Sequence, residues 1–181
     1  MTKPNQNKVL NERDIDRILT RMAHEIIERN RGVEGVVLVG IRSDGIHIAR
    51  RLASKIEQVE KIAVPVGVID ITLYRDDIMN GLKKPIVGRT EIDTSIEGKT
   101  IVLVDDVLFT GRTIRAALDA LIDFGRPARV QAAVLIDRGH RELPIHADFV
   151  GRELVTLPED QVEVHLTEID KTDAVVVYKK G

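Results

Sequence analysis

The pattern of apolar and polar positions is clearest near the start of the chain, where it predicts an amphipathic helix over residues 11 to 31. Apolar side chains recur there at helical spacing and form one stripe, which consists of Ile15, Ile18, Leu19, Met22, Ala23, Ile26 and Ile27. Asn11, or the carboxylates directly after it, suits the start of this helix, and Gly32 suits its end.

Beyond this helix, stretches typical of strands and stretches typical of helices alternate along the chain. Apolar runs of strand type cover 35–39, 63–71, 100–105 and 130–136, amphipathic helices cover 46–56 and 112–124, and short strands follow near 147–150, 161–166 and 174–179. Because strands alternate with helices, we predict an α/β fold in which a mostly parallel sheet is flanked by helices on both faces. Ligands of such sheets bind at the carboxyl ends of the strands.

Periodicity is lost between residues 72 and 95, a stretch that contains Gly81, Pro85, Gly88 and many charged side chains. A loop of this length inside a compact domain is usually functional or mobile. The chain has no internal repeat and no low-complexity segment, and 181 residues suit one domain with a sizeable core. We therefore predict a single domain over residues 1 to 181.

The composition narrows the possible functions. Hydrophobic residues make up 43% and charged residues 31% of the chain, as in an ordinary soluble protein, and the formal net charge is −2. A site for nucleic acid would therefore have to be a local basic patch. The absence of cysteine excludes disulfides, thiolate zinc sites and a cysteine nucleophile.

No segment of the sequence suggests a membrane or secreted protein. The apolar runs fall short of the roughly 20 residues that span a bilayer. Residues 1 to 8 are polar and lack the apolar core of a signal peptide. We therefore expect a cytoplasmic location and no membrane partner.

The strongest chemical signal is the segment Ile101–Thr113, which reads IVLVDDVLFTGRT. An apolar strand ends there in the paired carboxylates Asp105 and Asp106, and a small hydroxylated turn around Gly111 opens the next helix. Two carboxylates can accept hydrogen bonds from the vicinal hydroxyls of a sugar or help to hold Mg²⁺. The turn offers backbone N–H groups and the positive end of a helix dipole to a phosphate. Together these features suit a ribose 5-phosphate.

Acidic pairs after buried strands also occur in Walker-B ATPases and in phosphotransfer domains that bind Mg²⁺. A Walker-B pair requires a P-loop, and the nearest match, Gly40 to Gly45, is followed by Ile46 and His47 where the motif needs lysine. The G-x-G-x-x-G motif of dinucleotide-binding proteins is also missing from the sequence. The offset between the acidic pair and the Thr-Gly-Arg-Thr turn therefore favours a phosphoribosyl site.

The segment Ile101–Thr113 closely resembles the phosphoribosyl pyrophosphate (PRPP) signature of type I phosphoribosyltransferases. Three further segments are similar to those of a narrower family, PyrR, whose members both attenuate pyrimidine operons and act as uracil phosphoribosyltransferases; they are Thr20–Asn30, Asp70–Asp77 and Asp137–Ile145. The first and last of these carry the narrower resemblance, because the whole superfamily shares the PRPP segment. The resemblance implies a type I phosphoribosyltransferase fold with a flexible active-site loop at about 72–95. It also implies a small hood, from about 137–160 together with the terminal segments.

The resemblance further implies that the protein converts uracil and PRPP to UMP and pyrophosphate, with Mg²⁺ as the cofactor. Asp105 and Asp106 would hold the ribose hydroxyls, Mg²⁺ would be held nearby through PRPP, and Arg75 would join them from the flexible loop, along with Tyr74. The residues implied in binding PRPP and the nucleotide are Gly40, Ile41, Arg42, Ser43, Arg89, Val107, Leu108, Phe109, Thr110, Gly111, Arg112, Thr113, Asp137 and Arg138.

The base pocket is defined less closely by the sequence. Purine phosphoribosyltransferases commonly have a lysine where Asp137 and Arg138 stand here, which weakens a purine assignment without establishing uracil. We expect main-chain groups near Ile136 to Arg138, and part of the segment after Leu154, to read the edge of the pyrimidine.

The outer face of the first predicted helix carries polar residues that the core does not need. Taken alone, this face is an ordinary solvated helix surface. PyrR proteins use this helix to recognise a hairpin in the leader mRNA of the pyrimidine operon, so the resemblance implies an RNA surface that comprises Thr20, Arg21, His24, Arg29, His140, Arg141, His146 and Arg152. Family members commonly have Arg at position 146 and Lys at 152. Because histidine is mostly neutral at pH 7, the patch would be weaker here or sensitive to pH.

The implied regulation is transcription attenuation in response to UMP, by a homodimer or higher homo-oligomer that binds RNA and not DNA. Two other interpretations remain open at this point. One is a salvage phosphoribosyltransferase, for pyrimidines or purines, without an RNA-binding role. The other is a non-catalytic regulator that senses nucleotides, and the intact pair Asp105 and Asp106 argues against it.

Overall fold

The computed structural model describes residues 5–76 and 88–180. Its elements, in chain order, are β1 (Asn5–Asn11), α1 (Glu12–Asn30), β2 (Val36–Ile41), α2 (Gly45–Glu60), β3 (Val66–Ile69), a 3₁₀ turn (Thr72–Tyr74), β4 (Thr100–Leu108), α3 (Arg112–Ile122), β5 (Arg129–Asp137), β6 (Phe149–Glu153), β7 (Gln161–His165), α4 (Thr167–Asp170) and β8 (Ala174–Lys179). Five strands form a sheet in the order β3-β2-β4-β5-β6, and every neighbouring pair in it is parallel. The predicted α/β fold is confirmed.

Local capping explains where α1 begins and ends. The side chain of Asn11 accepts a hydrogen bond from the backbone N–H of Asp14 at 3.1 Å, and the Asp14 carboxylate accepts one from the backbone N–H of Asn11 at 3.0 Å. After Asn30 the chain leaves the helix through Arg31, in the left-handed region, and the N–H of Gly32 donates to the carbonyl of Ile27. The helix predicted over residues 11 to 31 is confirmed.

Different helices cover the two faces of the sheet. On one face, α1 and α2 bury an apolar cluster that includes Ile15, Met22 and Leu52. On the other face, α3 packs Ile114 and Leu121 against the strands. Each such side chain contributes about 1.5–3 kcal/mol of hydrophobic stabilisation when it is fully buried. The sheet is therefore held from both sides, and its carboxyl edge is left free to build a site.

A second, three-stranded sheet has the order β1-β8-β7, and both of its strand pairs are antiparallel. The pattern of apolar positions does not predict β1, because its sequence, NQNKVLN, lacks an apolar run. Its partner β8 supplies the apolar residues Val175, Val176 and Val177, which are buried. Pairing with a buried strand thus makes a strand of a polar segment.

Several element boundaries differ from those predicted, and the largest difference concerns β4. This strand continues for three residues past Asp105, because Val107 and Leu108 still pair with Ile136 and Asp137 of β5. The acidic pair therefore lies within a strand instead of at the start of a loop. The strand predicted over 63–71 is β3, which is shorter, at Val66–Ile69. The helix predicted over 46–56 is α2, which is longer, at Gly45–Glu60.

The predicted flexible loop is described only at its two ends. Its start forms the 3₁₀ turn, and near its end Glu91 pairs with Val68 of β3 through two backbone hydrogen bonds of 2.8 Å. Residues 77–87, including Asp77, Gly81 and Pro85, lie outside the described residues. The flexible loop, the hood and the single-domain organisation stay predictions, and β6, within the segment predicted for the hood, belongs to the five-stranded sheet.

Across residues 5–76 and 88–180, none of the helices combines the length and the apolar character needed to cross a membrane.

Candidate active site

The carboxyl ends of β2 and β4 bring the two predicted binding loops together. Gly40, near the end of β2, lies opposite Val104 of β4 in the sheet. Gly45, the first residue of α2, packs against the carbonyl oxygen of Val104 so closely that a Cβ atom would collide with it. The absence of a side chain at Gly45 thus lets the loop 40–45 lie against the strand that carries the acidic pair.

The acidic pair combines a buried and a half-buried carboxylate. Asp105 is only 6% exposed, whereas Asp106 lines a cavity of about 790 Å³. Oδ1 of Asp105 accepts a hydrogen bond from the backbone N–H of Asp106 at 3.0 Å, and Oδ1 of Asp106 accepts one from Val107 at 2.8 Å. Burial, and then the charge of Asp106, raises the pKa of Asp105 well above its usual value. The pair therefore favours a ligand that brings positive charge or hydroxyl donors.

The cavity beside Asp106 lies between the start of α2 and the three-stranded sheet, which we call the small sheet. Its polar lining includes Arg42, Ser43, Asp44, His47, Arg50, Glu163, His165 and Asp170. Burial, and then the charge of Asp106, raises the pKa of Asp44. Arg42 and Ser43 were predicted from the sequence, and the others were not. Glu163, His165 and Asp170 reach this cavity only because the small sheet packs beside it. The helical spacing of Asp44, His47 and Arg50 was a signal that was available for one wall.

The carboxylates fit a magnesium ion that arrives with its substrate. Within the described ranges, no group of three or more His, Asp or Glu side chains is arranged to hold a metal. Mg²⁺ commonly binds through one or two carboxylates together with substrate phosphates and waters, without a cage made entirely of protein ligands. Asp105 and Asp106 supply such a pair.

Residues 107 to 113 form the wall of a second cavity, of about 390 Å³, which Arg75 and Glu142 also line. The backbone turns at Gly111, whose φ of 92° lies in the left-handed region, and α3 begins at the next residue, Arg112. The first N–H groups of a helix have no partner within the helix and can donate to a phosphate. The seven consecutive residues from Val107 to Thr113, all predicted to bind PRPP, thus line one cavity, and we call them the phosphate loop. The predicted catalytic Arg75 lines the same cavity.

Salt bridges tie this loop to its surroundings. Arg112 donates from Nη1 to the Asp76 carboxylate at 2.6 Å and from Nε to the Glu142 carboxylate at 2.7 Å. The hydroxyl of Tyr74 donates to the carboxylate of Asp123, just after α3. The start of the predicted flexible loop is therefore attached to both ends of α3.

Arg42, in the loop 40–45, contacts one residue that precedes the segment 77–87 in the chain and one that follows it. Its Nη2 donates to the backbone carbonyl of Arg89 at 2.7 Å, and its Nε lies 3.6 Å from the Asp70 carboxylate. That carboxylate also accepts hydrogen bonds from the backbone N–H groups of Thr72 and Gly88 at 2.8 and 2.7 Å. Burial opposes the ionised form, but these hydrogen bonds and Arg42 hold the pKa of Asp70 below its usual value. The Arg42–Ser43 peptide bond is cis, and the Arg89 side chain is exposed.

Arg138, predicted to bind the nucleotide, connects the phosphate loop with the segment after Leu154. It is only 7% exposed, and its guanidinium carbon lies 4.0 Å from the ring centre of Phe109. Its Nη2 donates to the carbonyls of Leu157 and Asp160, each at 2.9 Å. Among the described residues, Nε of Arg138 and Oδ1 of Asp160 are buried without a hydrogen-bond partner.

Asp137, also predicted to bind the nucleotide, is paired inside the protein. Its carboxylate accepts hydrogen bonds from the N–H of Gly139 at 2.9 Å and from Nη2 of Arg141 at 2.5 Å. Burial opposes ionisation here too, but these partners hold the pKa of Asp137 below its usual value. Asp137 therefore holds Arg141 in place, and any part it has in binding nucleotide is exerted from this paired position.

The predicted RNA residues divide into two groups. His24, His146 and Arg152 are exposed, and their side chains make no hydrogen bond or ion pair in the part of the chain that the structure describes. The other five already have partners in the protein: Thr20 with Asp16 and Lys55, Arg21 with Glu25 and the Gly151 carbonyl, Arg29 with Asp148, His140 with the Thr156 carbonyl, and Arg141 with Asp137. Arg141 is the least exposed of the paired cations, at 17% of its side chain.

Known proteins with this fold share the arrangement of these elements. The model of the phosphoribosyl transferase domain family matches residues 5–171. The hypoxanthine phosphoribosyltransferase of Trypanosoma cruzi aligns with a TM-score of 0.70 at 19% identity over 97% of each chain. A hypoxanthine-guanine phosphoribosyltransferase of Bacillus anthracis aligns with a TM-score of 0.62 at 18% identity over 87% of each chain. The family match and the fold place the chain among the type I phosphoribosyltransferases.

Curated relatives narrow the family further. The chain is 57% identical to the bifunctional protein PyrR of Alkaliphilus metalliredigens over 93% of both chains. It is 58% identical to that of a Roseiflexus species over 91% of this chain and 90% of the relative, and 53% identical to that of Bacillus pumilus over 95% and 97%. The chain belongs to the PyrR family of phosphoribosyltransferases, and the resemblance found in the sequence is confirmed.

Proposed function

We propose that this protein transfers the ribose 5-phosphate group of PRPP to uracil, giving UMP and pyrophosphate, and that it attenuates transcription of the pyrimidine operon by binding leader RNA in response to UMP. This proposal rests on a sequence identity of 53% to 58% with bifunctional PyrR proteins, over nearly the whole length of both chains. The acidic pair beside an intact phosphate loop supports the catalytic half.

Catalysis in this site rests on positioning and charge. As pyrophosphate departs, C1 of the ribose develops positive charge, which nearby carboxylates stabilise. Asp105 and Asp106 lie in a hydrogen-bonded stretch of β4 and accept hydrogen bonds from the ribose hydroxyls. Burial raises the pKa of Asp105 and so disfavours its ionised form. Ionisation becomes more favourable when the substrate and a cation bind beside this carboxyl.

The 5-phosphate binds the loop Thr110–Thr113. Gly111 gives the turn its left-handed geometry, and the first N–H groups of α3 donate to the phosphate oxygens. Arg75 lines the same cavity and adds a positive charge next to the phosphate. This anchor fixes the ribose so that C1 lies near the acidic pair.

The pyrophosphate leaves toward the loop Gly40–Ser43. Mg²⁺ bound to PRPP would neutralise the developing charge on the leaving oxygens. Arg42 lines the cavity that Asp106 also lines, and it contacts Asp70, which precedes the segment 77–87, and Arg89, which follows it. A closing loop at about 72–95 would use these contacts to exclude water from a reactive intermediate.

The regulatory half uses the surface formed by α1, the segment 140–146 and β6. Exposed His24, His146 and Arg152 contact RNA phosphates or loop bases, while the paired cations Arg21 and Arg29 set the local charge. With only five aromatic residues in the chain, base stacking contributes little. A homodimer would double this surface. UMP that favours the RNA-competent state must itself bind more tightly when RNA is present.

Substrate assays test the catalytic half directly. Purified protein is incubated with PRPP, Mg²⁺ and labelled uracil, hypoxanthine or guanine, and the nucleotide products are separated. We expect UMP from uracil, and loss of this product in Asp106→Asn, while Asp119→Asn, which changes a half-exposed carboxylate on α3, serves as the matched control. Turnover of purines without turnover of uracil would contradict the proposal.

A further inference from the structure

The segment Arg138–His146, which we call the strap, runs along the outside of the phosphate loop. Two successive backbone N–H groups of the strap, those of Glu142 and Leu143, donate to the single carbonyl oxygen of Thr110 at 2.9 and 3.1 Å. The Thr110 carbonyl of the phosphate loop thus accepts hydrogen bonds from two backbone donors of the strap. If phosphate binding changes the orientation of the Thr110 peptide, the hydrogen bonds of these two amides change with it.

Side chains leave no space between the strap and the turn of the phosphate loop. A Cβ atom on Gly111 would lie 3.2 Å from Cβ of Ile145 and 3.5 Å from Cβ of Leu143. These two apolar side chains therefore rest directly on the residue that gives the phosphate loop its left-handed turn. Close-packed contacts of this kind transmit small displacements, because neither side can yield without creating a void.

Side-chain hydrogen bonds of Arg141 also join the strap to the phosphate loop. Its Nη1 donates to the carbonyl of Phe109 at 2.9 Å, and its Nε donates to the carbonyl of Ile145 at 2.8 Å. Its Nη2 is anchored on Asp137. One guanidinium therefore spans the end of β5, the phosphate loop and the far end of the strap. Arg112 adds a link from the loop side through Glu142.

The far end of the strap leads into the predicted RNA surface. His146 is exposed, and β6, which begins three residues later, carries the exposed Arg152. The same strand is attached to α1, because Arg21 donates to the carbonyls of Val150 and Gly151 at 3.2 and 2.5 Å. Residues with contacts to the phosphate loop and residues on the RNA surface therefore belong to one continuous, hydrogen-bonded segment.

We propose that the strap carries the state of the phosphate loop to the RNA surface, with Ile145 and Arg141 as positioning residues. This inference rests on the proposed function, and it gives the regulation a physical route. Phosphate bound at Thr110–Thr113 fixes the Thr110 peptide and the Gly111 turn. The strap then holds His146 and β6 in the arrangement that binds RNA. Loss of RNA binding on substitution of Arg141 would follow from a disordered strap, without a direct contact between this guanidinium and RNA.

The test compares Ile145→Ala with Ile122→Ala, the same substitution at an exposed position of α3. Binding of the leader hairpin is measured by fluorescence anisotropy with and without saturating UMP, and the ratio of the two dissociation constants is the coupling factor. We expect wild type and Ile122→Ala to share a factor within the usual range of about 5- to 150-fold, and Ile145→Ala to lose most of it. The affinity for RNA without UMP should stay within about threefold of wild type.

Hydrogen exchange provides a readout that does not involve RNA. UMP is expected to slow exchange at the amides of Glu142 and Leu143 in wild type and in Ile122→Ala, and to slow it much less in Ile145→Ala. Ile145→Val, which removes one methylene, is the milder variant and should fall between the two if Ile145→Ala folds poorly. Thermal unfolding of each variant identifies poor folding.

The outcomes separate the two proposals. A coupling factor that Ile145→Ala and Ile145→Val retain in full, with unchanged protection of Glu142 and Leu143, would overturn the strap while leaving the regulation intact. A wild-type factor of 1 would overturn the regulation, and the role of the strap in it. Uracil turnover is measured in parallel, so that loss of catalysis is seen separately from loss of coupling.

Discussion

Arg51 of α2 and Asp173, the residue before β8, form a bidentate ion pair with N···O distances of 2.6 and 2.9 Å. Glu168 of α4 accepts two further hydrogen bonds from the same guanidinium. Asp173 also accepts hydrogen bonds from the backbone N–H and the hydroxyl of Thr167, both at 2.7 Å. This cluster fastens the small sheet to α2, and so sets the two walls of the cavity beside Asp106.

The ion pair predicts a specific loss of stability in acid. Burial opposes ionisation of Asp173, but Arg51 and Thr167 outweigh it and lower the pKa of Asp173 from 3.8 to about 2. Because the folded-state pKa is the lower one, the stabilisation is complete above about pH 4 and is lost as the pH falls through 2, a difference of about 2 kcal/mol. Denaturant unfolding across this range should show a steeper loss in wild type than in Asp173→Asn. Equal slopes would contradict the assignment.

Asp105→Asn should lower activity and stabilise the fold. A buried carboxyl whose pKa is raised favours the protonated form in the folded state, so its ionisation at neutral pH costs stability. Asparagine has the same shape without the charge. We expect a higher melting temperature near pH 7 and a fall in kcat of about 10²- to 10³-fold. The stability gain should shrink as the pH falls through the raised pKa, and a variant that is less stable at pH 7 would count against this account.

Gly111→Ala should affect both the turn and the site. The left-handed φ of 92° costs a non-glycine residue about 1 kcal/mol, and the new Cβ meets Ile145. Gly98→Ala is a matched control, because Gly98 has a φ of 66° but a Cβ atom added there would have nothing within 4 Å. Both variants should lose stability, but only Gly111→Ala should raise the KM for PRPP. A similar change in KM for both would show that the contact with Ile145 has no bearing on the site.

Arg152→Gln should weaken RNA binding without changing catalysis or stability. The side chain is exposed and makes no hydrogen bond or ion pair among the residues that the structure describes. If it contacts a phosphate, its loss should reduce the slope of log affinity against log salt by about 1. Arg126→Gln, an exposed arginine after α3, controls for net charge. An unchanged slope would remove Arg152 from the RNA surface.

Local patterns predicted much of this fold. The stripe from Ile15 to Ile27 and the cap at Asn11 located α1, because helical periodicity and capping are encoded within a few residues. The segment Ile101–Thr113 likewise predicted a strand that carries the acidic pair, followed by a turn that opens a helix. The polar strand β1 could not be found in this way, since it exists through its pairing with β8.

Tertiary contacts account for what the sequence missed in the site. Glu163, His165 and Asp170 reach the cavity beside Asp106 only because the small sheet packs against α2. The partners of Arg141 were equally hidden, since three of its four acceptors are backbone carbonyls, which carry no sequence signal. A family resemblance assigns residues to functions by position, whereas the contacts show which of those side chains are free to meet a ligand.

We propose that one protein both makes UMP and binds RNA in response to it. The most direct test is a titration of the purified protein with the leader RNA of its own operon at moderate salt, with and without UMP. We expect UMP to tighten the binding of RNA, and RNA to tighten the binding of UMP by the same factor. RNA binding that is undetectable, or that UMP leaves unchanged, would contradict the proposal.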